Sequence, residues 1–137
     1  MTHVPSFEDL QVGDRLPELV VPLSRTLIVS TAIASRDYQD VHHDPELAKE
    51  RGSEDIFMNI LTSNGFAERF VREWVGPGAI INQIKLRLGA PNYPGDTMRC
   101  TGELVELRKA SRQGVVSIQI VNSLGNHATG EIVVSFP

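Results

Sequence analysis

Asn59-Ile60-Leu61-Thr62-Ser63-Asn64-Gly65-Phe66-Ala67-Glu68-Arg69-Phe70-Val71-Arg72-Glu73-Trp74, followed after Val75 by Gly76-Pro77-Gly78, is the stretch on which the fold turns. Ile60, Ala67, Phe70, Val71 and Trp74 recur at helical spacing, and Glu68, Arg69, Arg72 and Glu73 fall largely on the other side, so the segment reads as one long amphipathic helix. The Gly-Pro-Gly run stops it. Gly65 inside a helix costs up to about 1 kcal/mol relative to alanine, which points to a close approach of another backbone there.

Everything after this helix reads as strand: Ala79 to Leu88, Thr97 to Leu107, Val115 to Val121 and Ala128 to Phe136, separated by turn-rich segments. Val116-Ser117-Ile118-Gln119-Ile120 alternates apolar and polar residues, the mark of a sheet buried on one face. Before the helix, Leu19 to Val29 reads as a further strand bounded by Pro17 and open to interruption at Pro22, with Ser30 or Thr31 capping a short helix through Ala34. Phe7 to Pro17 forms an opening segment with a turn at Gly13-Asp14, and Glu46 to Arg51 a short helix ended by Gly52. The expected class is α+β, one long helix across a curved antiparallel sheet of four or five strands. Such a sheet leaves an open edge and an apolar face, so a lone monomer is not expected.

At 137 residues and 41% hydrophobic content the chain fits one domain, residues 1–137. A net charge of −4 argues against a nucleic-acid partner. Residues 85–112 carry six basic and three acidic side chains, a local excess suited to a phosphate-bearing small ligand or to an ordinary solvated strand surface. The single Cys100 precludes an internal disulfide and reads as a buried strand residue rather than a nucleophile. Neither a signal-peptide pattern nor a run of roughly 20 apolar residues is seen, so a cytoplasmic protein without a membrane partner is expected.

Chemistry concentrates in Asp37-Tyr38-Gln39-Asp40-Val41-His42-His43-Asp44-Pro45, three carboxylates and two imidazoles in nine residues. Taken alone, Asp37 and His42 read as a cap and a surface histidine. Metal binding is disfavoured, because His3 and His127 are isolated and adjacent His43 and His42 point apart. Ser35 lacks a nucleophile-elbow context.

Read together, these segments resemble the MaoC-like (R)-specific enoyl-CoA hydratases of the hot dog superfamily. Their motif Asp-x-Asn-Pro-(Ile/Leu)-His-x-Asp-Pro is matched by Asp37, Gln39, Asp40, Val41, His42, Asp44 and Pro45, and their Pro-x-x-x-Gly-Asp-Thr turn by Pro91 to Thr97. The resemblance implies a hot dog fold, with Asp37 and His42 as the catalytic pair that adds water to a 2-enoyl-CoA. Coenzyme A is then part of the substrate, and no separate cofactor or metal is implied. Gln39-Asp40 replaces the family's Asn-Pro, and Met58-Asn59 replaces the His-Gly that opens its central helix, which assigns the oxyanion-hole amide to Asn59. The CoA phosphates would meet some of Lys85, Arg87, Arg108, Lys109 and Arg112. Within the family, Asp-Tyr-Gln-Asp-Val-His-His-Asp and the compact length look most like small catalytic subunits of actinobacterial hydratases acting on steroid side-chain enoyl-CoA esters. Those subunits work as heteromers with a paralogous hot dog subunit, so the expected partner is such a paralogue or a second copy. A hot dog thioesterase would instead use a carboxylate on the central helix, where Glu68 is the candidate, and a non-catalytic acyl-CoA-binding subunit is the third reading.

Overall fold

The structure, a computed structural model, describes residues 3–137, so the part of the N-terminal reading that falls on Met1 and Thr2 lies outside it. Five strands, β1 (Leu19–Pro22), β2 (Ile80–Leu88), β3 (Thr97–Arg108), β4 (Gln113–Asn122) and β5 (Gly125–Ser135), form one sheet in the order β1-β3-β4-β5-β2. Every neighbouring pair is antiparallel. The helices are α1 (Arg25–Ala34), α2 (Pro45–Glu50) and α3 (Ile60–Val75).

The sheet wraps α3 because both carry one apolar face. Phe66, Ala67, Phe70, Val71 and Val75 of α3 join Met98, Cys100 and Leu104 of β3, Val116, Ile118 and Ile120 of β4, and Ile132 and Val134 of β5 in one buried cluster. Each large side chain fully removed from water there contributes on the order of 1.5–3 kcal/mol. The close approach expected at Gly65 occurs elsewhere. A Cβ at Gly65 would meet nothing within 4 Å, whereas one on Gly102 of β3 would sit 2.9 Å from the Phe70 ring, so Gly102 is where the helix presses on the sheet.

The segment from Leu19 to Val29 is not one strand. β1 ends at Pro22, which has no N–H for a ladder, and Ser24 then caps α1 by accepting from the Leu27 N–H at 3.0 Å. Ile28 and Ala32, one turn apart, are the residues that bury, so the run of Leu27-Ile28-Val29 belongs to a helix despite its β-branched residues. Ser30 and Thr31 cap nothing; their hydroxyls donate back to the Leu27 carbonyl.

A second departure is at the start of α3. Ile60 falls in line with the apolar stripe yet is 63% exposed, and the adjacent Leu61 is 57% exposed. Among the described residues none covers these two side chains. β2 pairs with β5 alone, which leaves its other edge open. Among the described residues, no helix is long and apolar enough to cross a membrane.

Candidate active site

Buried polar residues are few, and most gather at one place. His42, Asn59, Thr62, Ser63, Asn92 and His127 are buried, and they converge on the N-terminal end of α3. Burying polar groups is costly unless they are hydrogen-bonded, and no described buried side-chain nitrogen or oxygen is left without a partner.

Asp37 is delivered by the way α1 ends. Arg36 takes a left-handed conformation (φ 55°), and the Asp37 N–H donates to the Ala32 carbonyl at 2.9 Å, turning the chain sharply off the helix. A 3₁₀ turn, Asp40–His42, follows. Asp40 fastens it through an ion pair to Arg51 at 2.7 Å, and Asp44 caps α2 by accepting from the Glu46 and Leu47 N–H groups. These two carboxylates therefore shape the loop, and His43 lies exposed on its outside.

His42 points inward. Its Nδ1 lies 2.7 Å from the Phe57 carbonyl oxygen, which can only accept, so Nδ1 carries the proton. Phe57 also meets the imidazole edge-on at 5.0 Å. The other ring nitrogen, Nε2, lies 3.4 Å from Oδ2 of Asp37. Burial would push the Asp37 carboxyl up, but the Asn59 amide, the Gln39 N–H and the His42 ring together hold it below its ordinary value. The two groups the sequence singled out thus face one another across 3.4 Å, with the carboxyl of Asp37 held toward its ionised form.

Asn59 caps α3 and is 1% exposed. Its Oδ1 accepts from the Thr62 N–H at 3.2 Å and from the Thr62 hydroxyl, and its Nδ2 donates to Ser35 Oγ at 2.9 Å and to Asp37 Oδ2 at 3.2 Å. The backbone N–H groups of Asn59, Ile60 and Leu61 find no acceptor among the described residues. Unpaired amides at a helix start, with the dipole behind them, favour a developing negative charge.

The supports of this end of α3 were not visible as a set in the sequence. The Met58 N–H donates to the Asn92 carbonyl at 3.1 Å, and the Asn122 amide holds Asn92 Oδ1 at 2.8 Å. His127 bridges two elements, with Nδ1 on the Ala90 carbonyl (2.7 Å) and Nε2 on Ser63 Oγ (2.8 Å). Burial pushes its pKa down, so it stays neutral, donating to Ala90 and accepting from Ser63. Asn92 sits in the Pro91–Thr97 turn, a usable signal. His127 stands alone in a strand and gives none. Ser35 is no nucleophile: its oxygen accepts from Asn59 and its hydroxyl faces the Thr31 carbonyl at 2.8 Å.

From Ser35 and Thr62 a groove of about 360 Å³ runs between α1 and α3, lined by Thr31, Ala34, Leu61, Gly65, Phe66 and Arg69. That volume falls within the range of small-molecule sites. Glu68 is exposed and paired with Arg72 at 3.6 Å. Of the five basic candidates for phosphate contact, Arg112 is engaged by Glu8 and the Pro137 carbonyl and Arg108 by Glu106, whereas Lys85 and Arg87 lie exposed on edge strand β2. Cys100 is buried, and burial pushes its thiol up to about 12.

Comparison with known proteins shows the family. The sequence model for the MaoC like domain matches residues 11–125. The beta subunit of the 3-oxo-4,17-pregnadiene-20-carboxyl-CoA hydratase of Mycobacterium tuberculosis is 47% identical over 126 residues, which cover 90% of this chain and 95% of that subunit. In the crystal structure of the ChsH1-ChsH2 complex from M. tuberculosis, one chain superposes with a TM-score of 0.90 at 45% identity, over 93% of this chain and 98% of that one. The (R)-hydratase of A. caviae involved in PHA biosynthesis superposes with a TM-score of 0.86 at 23% identity, over 95% of this chain and 99% of that one, a likeness of fold. By sequence and by fold, the chain belongs to the MaoC-like domain family and has its hot dog architecture.

Proposed function

We propose that this chain is the catalytic subunit of an enoyl-CoA hydratase, a hydro-lyase that adds water across the Cα=Cβ bond of a 2-enoyl-CoA to give the 3-hydroxyacyl-CoA. The observation that carries the reading is the Asp37–His42 pair, a carboxylate oxygen and an imidazole nitrogen 3.4 Å apart with the far nitrogen of the imidazole tied to a carbonyl. A water seated against both donates one hydrogen to each, which aims an oxygen lone pair outward at Cβ. As the new C–O bond forms, one O–H bond of that water breaks and its proton passes to the pair. The π electrons move to Cα and the thioester oxygen, and a proton from the pair closes Cα–H. The enolate charge on the thioester oxygen is met by the Asn59 N–H. Run backwards, the same groups dehydrate the product. The scheme needs no cofactor or metal, coenzyme A being part of the substrate.

A bulky steroid side-chain ester fits the reading, since the relative from M. tuberculosis is named for a pregnadiene-carboxyl-CoA, and the groove past Gly65 starts at Ser35 and Thr62, both hydrogen-bonded to Asn59. The same relative is a beta subunit, and the superposed chain comes from a two-component complex. A paralogous hot dog subunit is therefore the proposed partner, with a second copy of this chain as the alternative. The open β2 edge and the uncovered Ile60 and Leu61 support a partner of either kind, and a cytoplasmic setting accords with the single reduced Cys100. A thioesterase would need Glu68 at the thioester, and Glu68 is turned to solvent against Arg72.

The test is turnover of a 2-enoyl-CoA by the chain alone and with candidate partner subunits, following loss of the conjugated thioester absorbance together with free thiol. Hydration without thiol release is expected, and Asp37→Asn and His42→Ala should each slow it at least about a hundredfold, the scale of lost acid–base help. Thiol release, or a near-normal rate in either variant, would overturn the reading.

A further inference from the structure

Asn59 does more than lend a backbone amide. The Thr62 N–H is an obligate donor and lies on Oδ1, which fixes the orientation of the side-chain amide and turns Nδ2 toward Ser35 and Asp37. Both Nδ2 hydrogens are then spent, one on a hydroxyl that is itself anchored to α1 and one on the carboxylate oxygen that faces His42. The backbone nitrogen of the same residue lies at the head of α3 with no acceptor among the described residues. A residue held at all four side-chain positions and buried has almost no freedom left.

We propose that the Asn59 side chain is a positioning residue for the reaction: it fixes the Asp37 carboxylate against His42 and so sets the distance between the proton-transferring pair and the oxyanion donor. The inference rests on the reading of Asp37 and His42 as that pair. The titratable group facing Asp37 is His42 on the 3₁₀ turn; α1 presents neutral Ser35, its own loop the Gln39 N–H, and α3 neutral Asn59. Removing the amide therefore removes a donor that nothing else there replaces.

Two substitutions separate this role from helix capping. Serine caps helices well but is too short to reach Asp37, and aspartate keeps the cap while offering Asp37 an acceptor instead of a donor. For Asn59→Ser, in whichever assembly turns over, kcat should fall about tenfold or more, the scale of a hydrogen bond to a charged group. KM should change little, and Tm should stay within about 4 °C of the parent. The acid limb of the pH profile should move to higher pH, because a carboxylate that has lost a donor is protonated sooner as pH falls. Asn59→Asp should move both further. Asp37→Asn/Asn59→Ser should be no slower than Asp37→Asn alone, since the amide acts through that carboxylate. Parental kcat and acid limb in both single variants, or a full further loss in the double variant, would overturn the proposal. A normal rate in Asp37→Asn would instead overturn the hydratase reading, so the two failures are distinguishable.

Discussion

Cys100 and Asp37 show how place decides what an ionisable side chain does. The thiol lies in β3 beneath α3, and without water or a cation close enough to offset burial its proton is held up to about 12. Native protein should therefore leave Cys100 untouched by an aromatic disulfide reagent at pH 8, and one thiol per chain should appear only on unfolding; rapid labelling of the folded protein would contradict the packing. Asp37 is half-buried too, yet three hydrogen-bonding or charged neighbours reverse the effect of burial. Much of that was legible in sequence, because Asp37 and His42 sit five residues apart in one loop and are brought together by local turns. The role of the Asn59 side-chain amide was not, because its contacts span 22 and 24 residues and a side-chain hydrogen bond at that range leaves no periodic trace. Ser63 and His127, 64 residues apart, are the extreme case.

At the scale of elements, the strands and the central helix followed from alternation and helical spacing, because each buries one face against the other. α1 did not. Leu27, Ile28 and Val29 carry strand propensity, and Ser24 outweighs it by satisfying one of the free amides in the first turn of a helix whose Ile28 and Ala32 then bury. Ser24→Ala should destabilise the protein by about 1 kcal/mol, measured by urea unfolding. Because α1 delivers Ser35 and Asp37 to the site, activity should fall with it near the unfolding midpoint. A neutral result would mean that packing alone fixes the start of α1.

For the whole molecule, acid should act in two steps. His127 is kept neutral by burial, so its folded pKa lies below the ordinary 6.5; it contributes stability that is present above that value and declines as pH falls below it. The carboxylates of Asp40 and Asp55, held down chiefly by Arg51 and Arg25, come next. Asp96 joins them: burial alone would raise it, but the Ser123 hydroxyl and the Thr97 N–H bring it below its usual range. Their contribution is present above about pH 4 and lost as pH falls through their depressed folded values. A Tm profile should fall gently below about pH 6.5 and steeply below about pH 4. His127→Asn, whose amide can still donate to Ala90 and accept from Ser63, should lose the upper limb and keep the lower. An unchanged upper limb would remove His127 from the account.

The uncovered start of α3 bears on electrostatics as much as on assembly. Ile60 and Leu61 stand in water next along the helix from buried Asn59, whose amide would meet an enolate, and a charge with water at its margin is screened many-fold more than one enclosed by protein. The chain by itself leaves the groove lined by Leu61 open to solvent beside the proposed donor. Whatever surface closes over those two side chains would supply the low dielectric, and so could raise the rate without adding a single reacting group.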